Sequence, residues 1–239
     1  GCWYRVRAFG PGGESWGIDE RFIAASGDGL HFKTDLEQIY DLAFHKGYAF
    51  ADGRRLRCRA LGVDSGYAAR LDEVKALAQR PGVVMTKGMS NMQWSWKRER
   101  ASPYRMSDNV RDLMLVNVDH YKSKLHRLVR LPEDHQQAYH FHRQTPDWVF
   151  LHICNEQQTI QRHKSGKRKG RSVMVWTVRY EGAPNHILDT EVIILAIADH
   201  LAVSLLAAET QPIGLIDAQA RRPTPTRPRK GAGGLGSSI

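Results

Sequence analysis

Cysteine is scarce in this sequence, with three in 239 residues: Cys2, Cys58 and Cys154. They are odd in number and far apart, so neither a disulfide framework nor a zinc knuckle is expected, and a reducing compartment is the simplest reading. Long hydrophobic runs are missing as well. The most apolar stretch, residues 192–198, is broken by Asp199-His200, and no uncharged run approaches the roughly 18 residues of a membrane span. A signal peptide at Gly1 and an internal repeat are also missing, so a soluble protein without membrane partners is expected. There is no Walker A motif. Gly166-Lys167-Arg168-Lys169-Gly170-Arg171-Ser172 has the wrong spacing and no lysine after its second glycine, which excludes ATP hydrolysis through a P-loop in this chain. Acids, finally, are absent between Glu156 and Glu181.

That last interval is instead basic, with Arg162, Lys164, Lys167, Arg168, Lys169, Arg171 and Arg179. A second basic block, Arg221, Arg222, Arg227, Arg229 and Lys230, lies among Pro223, Pro225 and Pro228 before a glycine-rich end, so residues 221–239 read as a disordered basic tail. The formal net charge is +10. Such a balance points to a polyanionic partner, with DNA, RNA and an anionic membrane left open by charge alone. Hydrophobic residues make up 41% of the chain, enough for one full-sized core over residues 1–220.

Taken in order, residues 2–9 and 15–23 have strand composition around the turn Gly10-Pro11-Gly12-Gly13, an antiparallel hairpin. Leu36, Ile39, Tyr40, Ala43 and Phe44 recur at helical spacing over residues 35–48, with Thr34 as the expected N-cap. Residues 56–63 alternate and stop at Asp64-Ser65-Gly66. A helix is expected over residues 68–79 and a short apolar strand over 83–86, ending at Lys87-Gly88. Strand, helix and strand of this length form a βαβ unit, whose ligands collect at the carboxyl ends of the strands, where Asp64 and Lys87 would be neighbours. Residues 90–109 read as irregular, with Trp94, Trp96, Lys97, Arg98 and Arg100 offering either stacking groups and charge for nucleic acid or a solvated loop with tucked tryptophans. A strand over 113–118, a helix over 119–131, short strands over 139–142 and 148–155, a basic hairpin arm or loop over 161–171 and a strand over 172–180 complete the pattern. The class is α/β.

The longest apolar helix starts at Pro184-Asn185-His186-Ile187-Leu188-Asp189, with Asn185 as the expected N-cap. At 100° per residue Asp189, Val192, Ile193, Ala196, His200 and Val203 share one face, and Glu191 points the other way. Asp189 thus has apolar neighbours and needs a reason. Two acids, Asp64 on a strand end and Asp189 at a helix start, would repel if brought together without a counter-charge, and bound divalent metal resolves this. Hard oxygen ligands suit Mg²⁺ or Mn²⁺, and a two-metal site, with ions about 3.5–4 Å apart, hydrolyses phosphodiesters. His200 lies about 16 Å along the helix from Asp189, too far for the same ion, and reads as a core or helix-packing residue. His135, His140, His142 and His152 read as part of a solvated or DNA-facing surface rather than a metal cluster.

Trp3-Tyr4-Arg5-Val6-Arg7-Ala8-Phe9-Gly10-Pro11-Gly12-Gly13-Glu14-Ser15-Trp16-Gly17-Ile18-Asp19, Val63-Asp64-Ser65-Gly66-Tyr67, Thr86-Lys87-Gly88, Val118-Asp119-His120-Tyr121-Lys122 and Asn185-His186-Ile187-Leu188-Asp189 follow one another along the chain. In this order they resemble the nuclease domain of lambda-type (GpA family) phage terminase large subunits, over about residues 3 to 208. The resemblance implies a ribonuclease H-like mixed β-sheet flanked by helices, with an added β-hairpin arm. It also implies metal-dependent cutting of double-stranded DNA during genome packaging. By position Asp64 and Asp189 match two of the family's metal-binding acids, Glu156 falls where the family often has a glutamate, and Lys87 would hold the scissile phosphate. Arg162, Lys164, Lys167, Arg168, Lys169 and Arg171 would contact the DNA backbone. The resemblance further implies an ATPase domain, a small terminase subunit and a portal as partners, in the cytoplasm of a bacterial host. The family opens this domain with a strand of the form Gly-x-Asp-x-Gln. The present sequence starts inside the following hairpin, so that strand and its acid are expected to be missing through truncation at the N-terminus, with Asp19 no substitute. Two other readings fit the same residues: a non-catalytic DNA-binding remnant of a defective prophage, and a resolvase- or transposase-like nuclease of the same fold.

Overall fold

The computed structural model describes residues 1–24, 32–49, 53–91, 102–110, 113–166 and 169–206. Strands β1 (Cys2–Phe9) and β2 (Ser15–Ile23) pair antiparallel as expected, from Cys2↔Ile23 to Phe9↔Ser15, with a register shift between Val6 and Arg7. Gly12 and Gly13 make the turn at φ 71° and 93°, a region that disfavours other residues. A short strand, β9 (Tyr139–His140), adds to β2 in parallel.

The second sheet carries the βαβ unit. Its order is β5 (Leu61–Asp64), β6 (Val83–Met89), β8 (Leu113–Asn117), β7 (Tyr104–Met106), with β5, β6 and β8 parallel and β7 antiparallel to β8. Strand alternation gives it two apolar faces. On one, Leu61, Val63, Val83 and Met85 pack against Leu36 and Tyr40 of α1 (Phe32–Asp41) and Val74 and Leu77 of α2 (Leu71–Ala78). On the other, Met114 and Val116 pack with Tyr121 and Leu125 of α3 (Val118–Leu128) and with Leu188, Val192 and Leu195 of α5 (His186–His200). Gly62 sits where α5 crosses β5, and a Cβ there would come within 2.3 Å of Ile193 and 2.5 Å of Ile197. Only glycine lets the helix lie that close to the strand.

Several boundaries differ from expectation. Residues 148–155 form helix α4 (Asp147–Cys154), not a strand. Pro146 occupies its N-cap position, Asp147 its first turn, and Val149 and Ile153, one turn apart, are both buried. A short apolar run has no period of its own, so packing decides its type. The alternating stretch 56–63 is split: Arg55–Leu56 (β4) pairs with Tyr48–Ala49 (β3), and only Leu61–Asp64 enters the large sheet. Helix α1 starts at Phe32, which places Thr34 inside it rather than at its cap. Within the stretch read as irregular, Tyr104–Met106 is a strand. Trp94, Trp96, Lys97, Arg98, Arg100 and the basic tail lie outside the described residues.

The basic arm is a hairpin, β10 (Glu156–Arg162) with β11 (Ser172–Val178), and it begins five residues earlier than expected. Its base is bolted to α3. Asp119, which is buried, accepts from the backbone amide of Trp176 at 2.6 Å and from that of Asn91 at 2.5 Å. Ser123 receives the Trp176 indole N–H and the Gln158 amide, each at 3.0 Å. Among the described residues no helix is long and apolar enough to cross a membrane.

Candidate active-site cleft

Asp64 stands at the carboxyl end of β5, exposed, on the sheet face toward α5. Its backbone is held by the turn that follows. Ser65 donates its amide and hydroxyl to the carbonyl of Thr86, at 2.8 and 2.9 Å, and the amide of Gly66 donates to Asp64 Oδ1 at 3.1 Å. Asp189 lies in the first turn of α5 with its amide donating to the carbonyl of Asn185 at 3.1 Å. The two acids share a cleft of about 480 Å³ whose walls also include Cys2, Trp3, Tyr67 and His186. Thus β5 and α5 bring together the two acids singled out in the sequence.

A third acid and a cation complete the group. Glu156, the first residue of β10, is buried, and its Oε1 accepts from Lys122 Nζ at 2.7 Å and from Asn185 Nδ2 at 2.6 Å. Asn185 therefore occupies the N-cap position of α5 without capping it; its side chain binds Glu156 instead. Lys122, also buried, reaches Asp189 Oδ1 at 3.1 Å and so bridges the two carboxylates. Burial opposes the ammonium charge, but Asp189 and Glu156 outweigh it and raise the lysine's pKa. Burial also raises the pKa of Asp189; Lys122 works against that rise, while Glu156 and Asp64 add to it. The second oxygen of Glu156, Oε2, is buried with no hydrogen-bond partner.

The remaining residues fall elsewhere. Lys87 is exposed and is not part of the cleft wall. It follows Thr86, the register partner of Asp64, so strand alternation sends it to the opposite sheet face. Arg162, Lys164, Lys169 and Arg171 are exposed around the end of the hairpin, and Lys167 and Arg168 lie outside the described residues. The histidines are structural. His140 meets Glu14 at 2.8 Å and stacks on Trp16, His142 meets Glu20 at 2.7 Å, and His152 Nδ1 accepts from the amide of Ile187 at 3.4 Å. His200 is exposed, with its edge against Tyr104, rather than buried in the core. Asp19 accepts from Tyr4 and Arg21, away from the cleft.

Glu191 was not anticipated. Helical geometry turns it away from Asp189, yet β1 covers that side as well and the residue is fully buried. Its Oε1 lies 2.5 Å from Arg5 Nε and 3.3 Å from Arg7 Nη2, and Tyr139 donates its hydroxyl to Oε2. The Arg5 contact is an ion pair by distance, without the alignment of a hydrogen bond. The Arg7 guanidinium also lies over the Tyr139 ring at 3.4 Å. Arg5, Arg7 and Tyr139 thus anchor α5 at its second turn, two residues beyond Asp189. The signal in the sequence was the alternation of Arg5 and Arg7 on one face of a strand otherwise fit for a core.

The molecule is an α/β domain that sets acids from a strand end and a helix start in one cleft, with a basic hairpin whose first residue, Glu156, is joined to Asp189 through Lys122. The chain belongs to the family of the terminase large subunit gpA, endonuclease domain, whose model matches residues 2–210. No curated protein and no solved structure shows a match.

Proposed function

We propose that this chain is a divalent-metal-dependent endonuclease domain of ribonuclease H-like type that hydrolyses double-stranded DNA during phage genome packaging. The observation that carries the reading is the meeting of Asp64 and Asp189 in one cleft. The donor set in the cleft is the pair of carboxylates of Asp64 and Asp189, hard oxygen ligands of the kind such a cation takes, while Glu156 is not part of the cleft wall and is tied to Asp189 through Lys122. Among the described residues no three acids, histidines or cysteines yet converge tightly enough to enclose an ion, because Lys122 stands between Glu156 and Asp189. Asp64 and Asp189 would hold Mg²⁺ or Mn²⁺, which when bound supplies Lewis acidity and an activated water.

The chain's own groups do the rest. Asp64, fixed through Ser65 and Gly66, and Asp189, fixed by the anchored turn of α5, present their oxygens at set positions. Lys122 keeps Asp189 and Glu156 oriented and limits their mutual repulsion. Arg162, Lys164, Lys169 and Arg171 hold the DNA backbone, with Lys167 and Arg168 in the same segment, and this gives affinity without sequence readout. Lys87, on the other face of β6, would meet DNA outside the cleft. The terminase ATPase domain, small subunit and portal are the partners that such a domain would serve in the host cytoplasm.

The test is nicking of supercoiled plasmid with Mn²⁺ by wild type, Asp64→Asn and Asp189→Asn. Loss of nicking in both variants, with DNA binding intact, supports the reading, and equal activity in all three removes both acids from the mechanism. A protein that binds DNA with a steep salt dependence and never cuts is the non-catalytic remnant. A preference for junctions or transposon ends is the mark of the resolvase-like alternative.

A further inference from the structure

The two strands of the basic hairpin present three register pairs on one face: Gln158↔Trp176, Ile160↔Met174 and Arg162↔Ser172. The first pair is fastened to α3, where both side chains donate to Ser123 Oγ and the Trp176 ring stacks on His126. The second pair is apolar and faces solvent, with Ile160 69% and Met174 47% exposed. Beyond it Arg162, Arg171 and Ser172 are exposed as well. A strand rises about 3.3 Å per residue, so the ribbon runs about 13 Å from its fastened pair to Arg162 and Ser172.

An uncovered apolar pair marks a contact surface, and its surroundings select the partner. No acid lies between Glu156 and Glu181. Asp119, at the root of the hairpin, is buried under the backbone amides of Asn91 and Trp176. On α3, Ser123 also lines a hollow of about 390 Å³ with His120, Lys124 and Arg127; His120 and Arg127 are exposed, and Lys124 is paired with Asp199 at 2.6 Å. Along the ribbon the apolar pair therefore lies between the cations of α3 at the root and those of the hairpin end. Duplex DNA matches that order, with phosphates on both rims of a groove and the thymine methyl group on its floor. The major groove, about 12 Å wide and 8.5 Å deep, admits a two-stranded ribbon, and about 13 Å of ribbon reaches its floor.

We propose that the ribbon of β10 and β11 enters the major groove of duplex DNA, with Ile160 and Met174 against the base edges and the cations of the hairpin end and of α3 on the phosphates of the two rims. This rests on the reading of DNA as the partner and deepens it. The hairpin grips the backbone and also makes an apolar contact that salt does not screen and that favours thymine.

Fluorescence anisotropy of the whole chain on short duplexes, in EDTA so that nothing is cut, tests this. The double variant Ile160→Thr, Met174→Thr keeps strand-forming residues while removing most of the apolar surface. It is expected to bind about tenfold more weakly at every salt concentration with the salt slope unchanged, because burying an apolar side chain is worth about tenfold or more in affinity. Wild type is expected to bind an A·T-rich duplex about threefold more tightly than the same duplex with uracil in place of thymine, which lacks only the methyl group, and the variant to bind both alike. Unchanged affinity in the variant, or a wild type indifferent to the methyl group, would overturn the proposal. A variant that binds DNA as wild type does but loses self-association in sedimentation would make the patch a contact between copies of the chain, and also overturns it. Should the variant fail to fold, the thymine and uracil comparison with wild type decides. Plasmid nicking in Mn²⁺ separates this proposal from the nuclease reading. A chain that distinguishes thymine from uracil and never cuts retains the groove contact and loses the nuclease, whereas one that cuts without distinguishing them does the reverse.

Discussion

Asp189 and Glu191 are two residues apart on α5 and respond to the fold in opposite ways. Burial and the neighbouring carboxylates raise the pKa of Asp189, so its charged form carries a cost in the folded state. That cost is complete above the raised folded pKa and disappears as pH falls through it toward the ordinary aspartate range. Asp189→Asn is therefore expected to be as stable as wild type or more so at pH 7, by less than about 1 kcal/mol given its half-exposed side chain, with no advantage near pH 3. Glu191 is the reverse. Burial would raise its pKa, but Arg7 and Arg5 outweigh burial and lower it. Its contribution is thus present above the ordinary glutamate range and lost as pH falls through the folded value. Glu191→Gln leaves the buried Arg7 guanidinium without its counter-charge and Arg5 with only Glu20, at 3.9 Å, and is expected to cost about 3–5 kcal/mol in urea unfolding at pH 7. A cost under about 1 kcal/mol would mean that the arginines do not depend on it. Asp64 and Asp189 were legible in the sequence because each sits beside strong punctuation, Ser-Gly after one and Pro-Asn before the other. Glu191 and Lys122 were not, because their meaning lies in partners distant in sequence: Arg5 and Tyr139 for one, Glu156 for the other.

At the scale of elements, the geometry of the cleft depends on how closely α5 approaches β5, and Gly62 sets that distance. Gly62→Val is expected to push Ile193 and Ile197 outward, destabilise the chain by about 1–3 kcal/mol and lower nicking, since Asp189 rides on the displaced helix. Thermal unfolding and the plasmid assay read both effects, and unchanged behaviour in both would show that the crossing is looser than described. The hairpin of β1 and β2, the βαβ unit and the helices α1, α2, α3 and α5 were recoverable from period and turn chemistry. The run Trp148-Val149-Phe150-Leu151-His152-Ile153-Cys154 was not. Apolar on every side, it fits a buried strand or a buried helix, and only its packing makes it α4. With that run helical, Glu156 lies at the start of β10 rather than after a strand, and there it joins Lys122 at the root of the basic hairpin.

For the molecule as a whole, charge separation is the organising feature: a net charge of +10 overall, exposed cations around the hairpin, and carboxylates gathered in the cleft. Each phosphate contact adds about 0.9 to the slope of log affinity against log salt, so replacing Arg162, Lys164, Lys169 and Arg171 with alanine is expected to reduce that slope by up to about 4 on duplex DNA. Fluorescence anisotropy between low and physiological salt measures it, and an unchanged slope would place the DNA elsewhere. The central claim is that Asp64 and Asp189 act together on a phosphodiester, and conversion of supercoiled to nicked plasmid in Mn²⁺ tests it most directly. Each single Asp→Asn variant is expected to lose more than about 100-fold in rate, since even the outer partners of a metal ligand cost about 10- to 100-fold. Because both acids serve one site, the double variant should be no slower than either single. Nicking by either variant at the wild-type rate would contradict the account.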